Sequence, residues 1–369
     1  MKISKVKDRN LYYCNVRKPD GKYKKVYGKT KKEVREKADS LTSDIREGRF
    51  VETNKITVSE WLKEWSDNYL INITELSQMT YKSVVNNHLI PYFGNKKLQN
   101  LAHNDIQRMV NEFNSKLSCR TVQNIHLVLH RALGDAVVNG FIKFNPADNI
   151  KLPKEQKKPL SVMDITEVFK FIDLCYKLIP DYADCFEFLV HTGLRIGEFT
   201  GLTIDSFDRE NKRLKIDKQY LGKVKKFGLP KNGVIRFVGL SDRAFEIIEE
   251  RLEVINKIRK NHPKFNPDNL LFLNPDFKMI SQRTLRKKIK IVGREMNKPD
   301  LRVHDLRHTF ATISLESGTG IRTIQERLGH SDPTFTMNKY AHSTMNMNML
   351  AAENLNKIFN NRHKIDTSN

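Results

Sequence analysis

The eleven residues IKLPKEQKKPL, 150–160, constrain the fold more than any other stretch of this chain. Pro153 and Pro159 each remove a backbone donor and fix φ, and the lysines beside them resist burial. The run can therefore neither carry a helix through nor enter the interior of a sheet. It reads as an extended linker over 151–160. With 369 residues, two or three domains are expected to fold around it.

Ahead of the linker the pattern changes once. Leu11–Arg17 and Tyr23–Tyr27 are strand-like runs joined by Pro19-Asp20-Gly21, a turn sequence. Thr30, three residues before Glu33, begins a capping box for a helix reaching Arg46. Together they make a small β-plus-helix module, 1–52. Residues 56–150 read as all helical. Thr57-Val58-Ser59-Glu60 is a second capping box, and Val58, Trp61, Leu62, Trp65 and Tyr69 follow on one face. Further helices are expected from Ser77 to Ile90, stopping before Pro91, from near Asn104, and from Ser118 to Gly140. The aromatic stripe is a core signal of a small bundle.

Beyond the linker, Ser161 is expected to cap a helix. Phe186, Leu189 and Val190 lie on one face of another, which Thr192-Gly193 breaks. Arg195 opens the next, with Glu198 one turn on. Arg213–Tyr220 and Gly233–Leu240 are strand-like, with Leu229–Gly233 as the turn between them. Ser241–Lys260 is amphipathic, Leu270–Phe272 reads as a short edge element, and Ser281–Met296 is a very basic helix. Gly318 and Gly320 separate two more helices, Gly329 ends the second, and Met349–Phe359 has the length for a last one. The class expected is multidomain and mainly α with small β elements, the part from 161 to 369 being mixed α+β.

Charge narrows the function. Lys and Arg number 65 against 43 Asp and Glu, a net +22, and the isoelectric point is about 9.7. The excess is uneven: residues 1–37 hold 14 basic and 4 acidic side chains. Charge concentrated in this way points to nucleic acid rather than to solubility alone. Lys22, Lys24 and Lys25 in the first module and Arg283, Arg286 and Lys287 on the basic helix are the candidate contacts. Cys14, Cys119, Cys175 and Cys185 are far apart without C-x-x-C spacing, and are expected to be reduced thiols. MKISKVKDRN has no apolar signal core and no apolar run has membrane-spanning length, so a cytoplasmic protein is expected.

The chemistry is concentrated in HDLRHTFATISLESGTGIRTIQERLGHSDPTFTMNKYAH, residues 304–342. Arg307 suits bidentate phosphate binding, His304 and His330 can donate hydrogen bonds or relay protons, and the Tyr340 oxygen can act as a nucleophile. Together they suggest phosphoryl transfer through a protein-linked phosphate. His304 and His308 have the spacing of a zinc pair, but Asp305 is not Glu and Arg307 would set a cation beside the metal. No metal is expected. Gly318-Thr319-Gly320 lacks the third glycine of a nucleotide loop, and no cofactor is expected.

The motifs H-x-L-R-H-T-F-A-T, L-G-H-S and Y-A-H resemble the C-terminal half of tyrosine recombinases, the phage-type integrases. T-G-x-R-x-x-E around Arg195 resembles the box at that family's first arginine. The resemblance implies that Tyr340 attacks a DNA phosphate to give a 3′-phosphotyrosyl intermediate while Arg195 and Arg307 clamp the phosphate. His304 then assists proton transfer, His330 bonds the scissile phosphate, and Glu198 orients Arg195 or supports its helix. Lys231, five residues before Arg236, matches the lysine that protonates the departing 5′-oxygen. Gly239 stands there in place of the usual proline and Val234 in place of a small hydroxyl residue, and Lys225 and Lys226 are alternatives.

The resemblance also implies an arm-type DNA-binding module at 1–52 and a core-binding, SAM-like domain at 56–150. The catalytic domain with a C-terminal exchange tail would be 161–369. A linker suits a clamp whose two halves close on a duplex. The partners implied are double-stranded attachment sites, a homotetramer on DNA, an excisionase and a host DNA-bending protein, all at the nucleoid. The activity implied is integration and excision of a mobile element, a temperate phage or an integrative conjugative element. A type IB topoisomerase-like relaxing enzyme and a non-catalytic DNA-binding regulator are the alternatives.

Overall fold

The computed structural model describes residues 2–6, 10–155, 161–231 and 233–329. The chain divides into two compact units, Met1–Lys157 and Lys158–Asn369, and the division falls inside the basic proline run.

The first unit opens with a three-stranded antiparallel sheet, β1 (Ser4–Lys5), β2 (Tyr12–Arg17) and β3 (Tyr23–Gly28), followed by helix α1 (Lys31–Arg46). Cys14 and Val16 face α1 and are buried with Val34 and Ala38. Strand alternation turns Tyr13, Asn15 and Arg17 to the opposite face, in register with Tyr27, Lys25 and Tyr23. β1 is two residues long, too short to show a period in the sequence. Thr30 caps α1 by accepting the Glu33 N–H at 3.1 Å.

A separate core holds the helices α2 (Val58–Asn68), α3 (Glu75–Val84), α4 (Ile90–Phe93), α5 (His103–Asn114) and α6 (Cys119–Val138). The Thr57–Glu60 capping box is formed, and Trp61 and Trp65 are fully buried. Their indole N–H groups donate to Ala132 O at 2.9 Å and Asp135 Oδ2 at 2.6 Å, as buried indoles require. The helix expected to stop before Pro91 does not stop there. A π turn, Val85–Leu89, intervenes, and Pro91 sits in the first turn of α4. The wide turn sends the Ile90 N–H to Val85 O, so the proline ring enters a helix start where its missing N–H costs nothing.

The second unit comprises α7 (Ile165–Leu178), α8 (Pro180–Thr192), α9 (Ile196–Thr200), β4 (Phe207–Asp208), β5 (Arg213–Ile216), β6 (Gln219–Leu221), β7 (Lys226–Gly228), β8 (Arg236–Gly239), α10 (Asp242–Asn261), α11 (Gln282–Glu295), α12 (Val303–Glu316) and α13 (Ile321–Leu328). Its core gathers on α8, where Cys185, Phe186, Phe188 and Leu189 are at most 1% exposed, so this helix is buried on most of its circumference. Two expectations are corrected. Asp164, not Ser161, caps α7, because its carboxylate reaches the Glu167 N–H at 2.8 Å. β5 and β8 do pair, in the order β4-β5-β8, but a hairpin of β6 and β7 stands between them in the chain. The expected single strand Arg213–Tyr220 breaks after Ile216, and its last residues pair with β7 instead. Among the described residues no helix is long and apolar enough to cross a membrane.

Candidate active site

The site begins with a glycine. Gly193 ends α8 in the left-handed region, φ +64°, and a Cβ there would stand 2.5 Å from Phe310 Cδ1 and 3.0 Å from Leu328 Cδ2. Only a residue without a side chain lets α12 and α13 come this close. Arg307, one turn into α12 and 1% exposed, spans the gap. It donates to Gly193 O at 2.9 Å and to Leu328 O at 2.5 Å.

Arg195 arrives at the same carbonyl from the start of α9. It donates to Leu328 O at 3.3 Å and Gly329 O at 3.0 Å, and to Glu198 Oε1 at 2.8 Å. The last carbonyls of a helix have no intrahelical partner and carry the negative end of its dipole, so the end of α13 draws cations. Gly329 closes α13 at φ +64°. His330 follows it in sequence; His330 and Tyr340 lie outside the described residues.

Beneath Arg195 sits Glu198, with no exposed surface. Its Oε2 accepts the Arg195 N–H at 2.9 Å, and both its oxygens accept from Arg236, at 3.0 and 2.8 Å. Burial alone would push this carboxyl up. The hydrogen bonds and charge of Arg236, then the charge of Arg195, reverse that and hold it at about 2. Glu198 therefore stays ionised under a cluster of guanidiniums whose charge it cancels only in part.

Arg236 is the residue to which sequence reasoning gave no role beyond marking a motif. The signal was present: in β8 the burial alternates, and Arg236 takes an inward position like Val238, opposite buried Ile216 of β5. Gln282 was also missed. Its amide donates to Tyr220 O at 2.8 Å and Thr200 Oγ1 at 3.2 Å, tying the start of α11 to the β6–β7 hairpin and to α9. A glutamine in a first helical turn carries no sequence signal of that kind.

Lys231 is exposed in a turn closed by the Gly233 N–H on Pro230 O at 2.8 Å, in the connection from β7 to β8. Lys225 and Lys226 are exposed in the hairpin, Lys225 at φ +52°. His304 is exposed in the first turn of α12, its ring packed edge-on against buried His308 with centroids 4.7 Å apart. Asp305 is taken up locally, accepting from the Arg302 backbone and guanidinium at 2.8 Å.

The candidate DNA contacts divide by face. Lys25 lies on the outer face of the first sheet, its ammonium 5.3 Å from the Tyr13 ring centroid. Lys24 lies on the α1 side near Phe50, and Lys22 is exposed in the turn. Arg283, Arg286 and Lys287 project from α11 opposite its buried Leu285, Ile289 and Val292.

Comparison with known proteins agrees with this architecture. Residues 153–347 match the phage integrase family, and residues 57–114 match the phage integrase N-terminal SAM-like domain. A tyrosine recombinase XerC-like protein of Caldanaerobacter subterraneus subsp. tengcongensis is 25% identical over 91% of this chain and 92% of its own. The ICEBs1 integrase of Bacillus subtilis is 24% identical over 89% and 90%. The fold matches that of the Tn1549 transposon integrase in complex with a circular intermediate DNA, with a TM-score of 0.68 and 20% identity over 81% of this chain and 99% of that one. It also matches lambda integrase in a tetramer bound to a Holliday junction, with a TM-score of 0.61 and 16% identity over 89% and 95%. The relatives favour a recombinase over a relaxing enzyme or a regulator. The chain belongs to the phage integrase family and is a tyrosine-type site-specific DNA recombinase.

Proposed function

We propose that this recombinase integrates and excises a mobile element at double-stranded attachment sites, with Tyr340 as its nucleophile. The observation that carries the reading is the convergence of Arg195 and Arg307, from separate segments, on the carbonyl of Leu328, two residues before His330. Two guanidiniums so placed suit the two non-bridging oxygens of one phosphate, whose charge builds in the transition state.

In this scheme the Tyr340 oxygen forms a bond to phosphorus as the bond to the 5′-oxygen breaks. His304 assists removal of the phenolic proton, His330 bonds the phosphate, and Lys231 gives a proton to the departing 5′-oxygen. A lysine ammonium carries the proton that this departing oxygen needs. Attack by a 5′-hydroxyl of the partner duplex on the phosphotyrosyl bond reverses the step. The bond keeps the phosphodiester energy, so the scheme needs neither a nucleotide nor a metal.

Residues 1–52 would bind arm-type sites and 56–150 the far side of the core site, with 151–160 as the linker and 161–369 as the catalytic part. Four protomers on two duplexes, an excisionase and a host DNA-bending protein complete the proposal, which places the protein in the cytoplasm at the nucleoid. Its support is the named assemblies of the structural neighbours and the basic surfaces described above.

The test is to recover junctions from cells making the protein, build a nicked duplex on that sequence, and look for covalent protein–DNA adduct. Wild type should trap adduct and Y340F none. Equal trapping by both would place the nucleophile elsewhere.

A further inference from the structure

We infer that Arg236 is a positioning residue of the phosphate pocket, fixing ionised Glu198 under Arg195 and locking the last turn of α13 against β8. The inference rests on the recombinase reading and adds to it a buried residue that does not touch substrate. Arg236 is 8% exposed, and its guanidinium is committed inward. Nε donates to Arg327 O at 2.8 Å, and Nη1 and Nη2 donate to the two oxygens of Glu198. One planar group thus joins three segments: β8 that carries it, α9 through Glu198, and α13 through a terminal carbonyl. A lysine has one nitrogen at its tip and cannot present this fork.

Gly329 makes the arrangement possible from the other side. A Cβ there would lie 3.1 Å from Arg236 Nη1 and 3.2 Å from its Cδ and Cζ, and the glycine sits at φ +64°. Arg236 and the chain reversal before His330 therefore share one packed space. Displacing the guanidinium moves both the carboxylate that aims Arg195 and the carbonyls on which Arg195 and Arg307 meet.

The guanidiniums of Arg236 and Arg195 lower the Glu198 carboxyl. α12 contributes Arg307, directed at carbonyls, and α13 contributes Arg327, whose Nη2 donates to Gly239 O at 2.7 Å. Taking away Arg236 leaves a buried carboxylate with one partner, and its pKa must rise.

The experiment measures adduct formation on the nicked junction duplex from about pH 5 to pH 9 for wild type, R236K, R236Q, E198Q and E198Q/R236Q, with thermal melts as a fold control. Near neutral pH, R236Q should cleave about 100-fold more slowly than wild type, the size of a small misplacement of the reacting groups. Its rate relative to wild type should also fall as pH falls, and this extra acid limb should vanish in E198Q/R236Q, which has no carboxylate at position 198 to protonate. R236K keeps a cation beside Glu198 but not the fork, so it should be slowed with little of this extra limb, and it decides the matter if R236Q does not fold. Rates for R236K and R236Q within a few-fold of wild type at every pH, or an acid limb in E198Q/R236Q as much in excess of wild type as that of R236Q, would overturn the role of Arg236. Absence of adduct from wild type would instead sink the recombinase chemistry, and this inference with it.

Discussion

Arg195 and Arg307 donate to one oxygen, the carbonyl of Leu328, although 112 positions separate them in the chain. Their surroundings differ. Arg307 is 1% exposed, while the Arg195 side chain is 19% exposed. R307A should therefore lower stability by about 2–4 kcal/mol, since it strips partners from buried carbonyls and opens a void. R195A should cost about 1 kcal/mol, because Arg236 still pairs with Glu198. Each should cut adduct formation by about 100-fold or more, the scale of losing one preorganised charge. Melting curves read beside trapping rates separate the two effects.

Glu198 links the site to pH. Its carboxyl is held at about 2 in the folded chain against an ordinary 4.5, so the stability it supplies is complete above about pH 4.5 and is lost as pH falls toward 2. The contribution is roughly 3 kcal/mol. E198Q should flatten the acid limb of stability measured by urea titration from about pH 2 to pH 6. Both tryptophans, Trp61 and Trp65, are in the first unit. Their fluorescence reports that unit, and far-UV circular dichroism is needed to follow the second. An unchanged acid limb in E198Q would contradict the assignment.

Lys231 stands apart from its neighbours by position rather than by charge. If it is the acid, K231A should slow cleavage of an ordinary duplex by about 100-fold or more and spare a duplex with a 5′-thio leaving group, which departs without a proton. K225A should leave both rates near wild type. Equal slowing of both substrates by K231A would move the acid elsewhere.

In the first sheet the two adjacent lysines should behave differently. Lys25 shares the outer face with Tyr13, Asn15, Arg17, Tyr23 and Tyr27, whereas Lys24 lies on the α1 side. K25A should weaken binding of the full chain to arm-site DNA and reduce the slope of log affinity against log salt by about 1; K24A should reduce it less. Equal slopes in a salt titration would argue against the outer face as the DNA surface.

Much of the fold was legible because its signals are local. Thr57 and Glu60 announce a helix start by side-chain chemistry alone, and Gly329 announces a stop. What escaped depends on contacts distant in sequence. Whether Pro91 ends a helix was decided by a π turn before it, and whether Tyr220 continues β5 was decided by its pairing with Phe227. In the site, Arg195, Glu198 and Arg307 were named from motifs that resemble those of the family. Arg236 could be recognised only once β5 and β8 were aligned and an inward-facing charge became visible. His330 and Tyr340 rest on the sequence, since both lie outside the described residues.

The oxygens of Gly193, Leu328 and Gly329 are neutral acceptors. They hold guanidiniums in place without neutralising them, unlike a carboxylate, which does both. On the proposed reading, Arg195 and Arg307 therefore stand with their charge available to a phosphate before any duplex arrives.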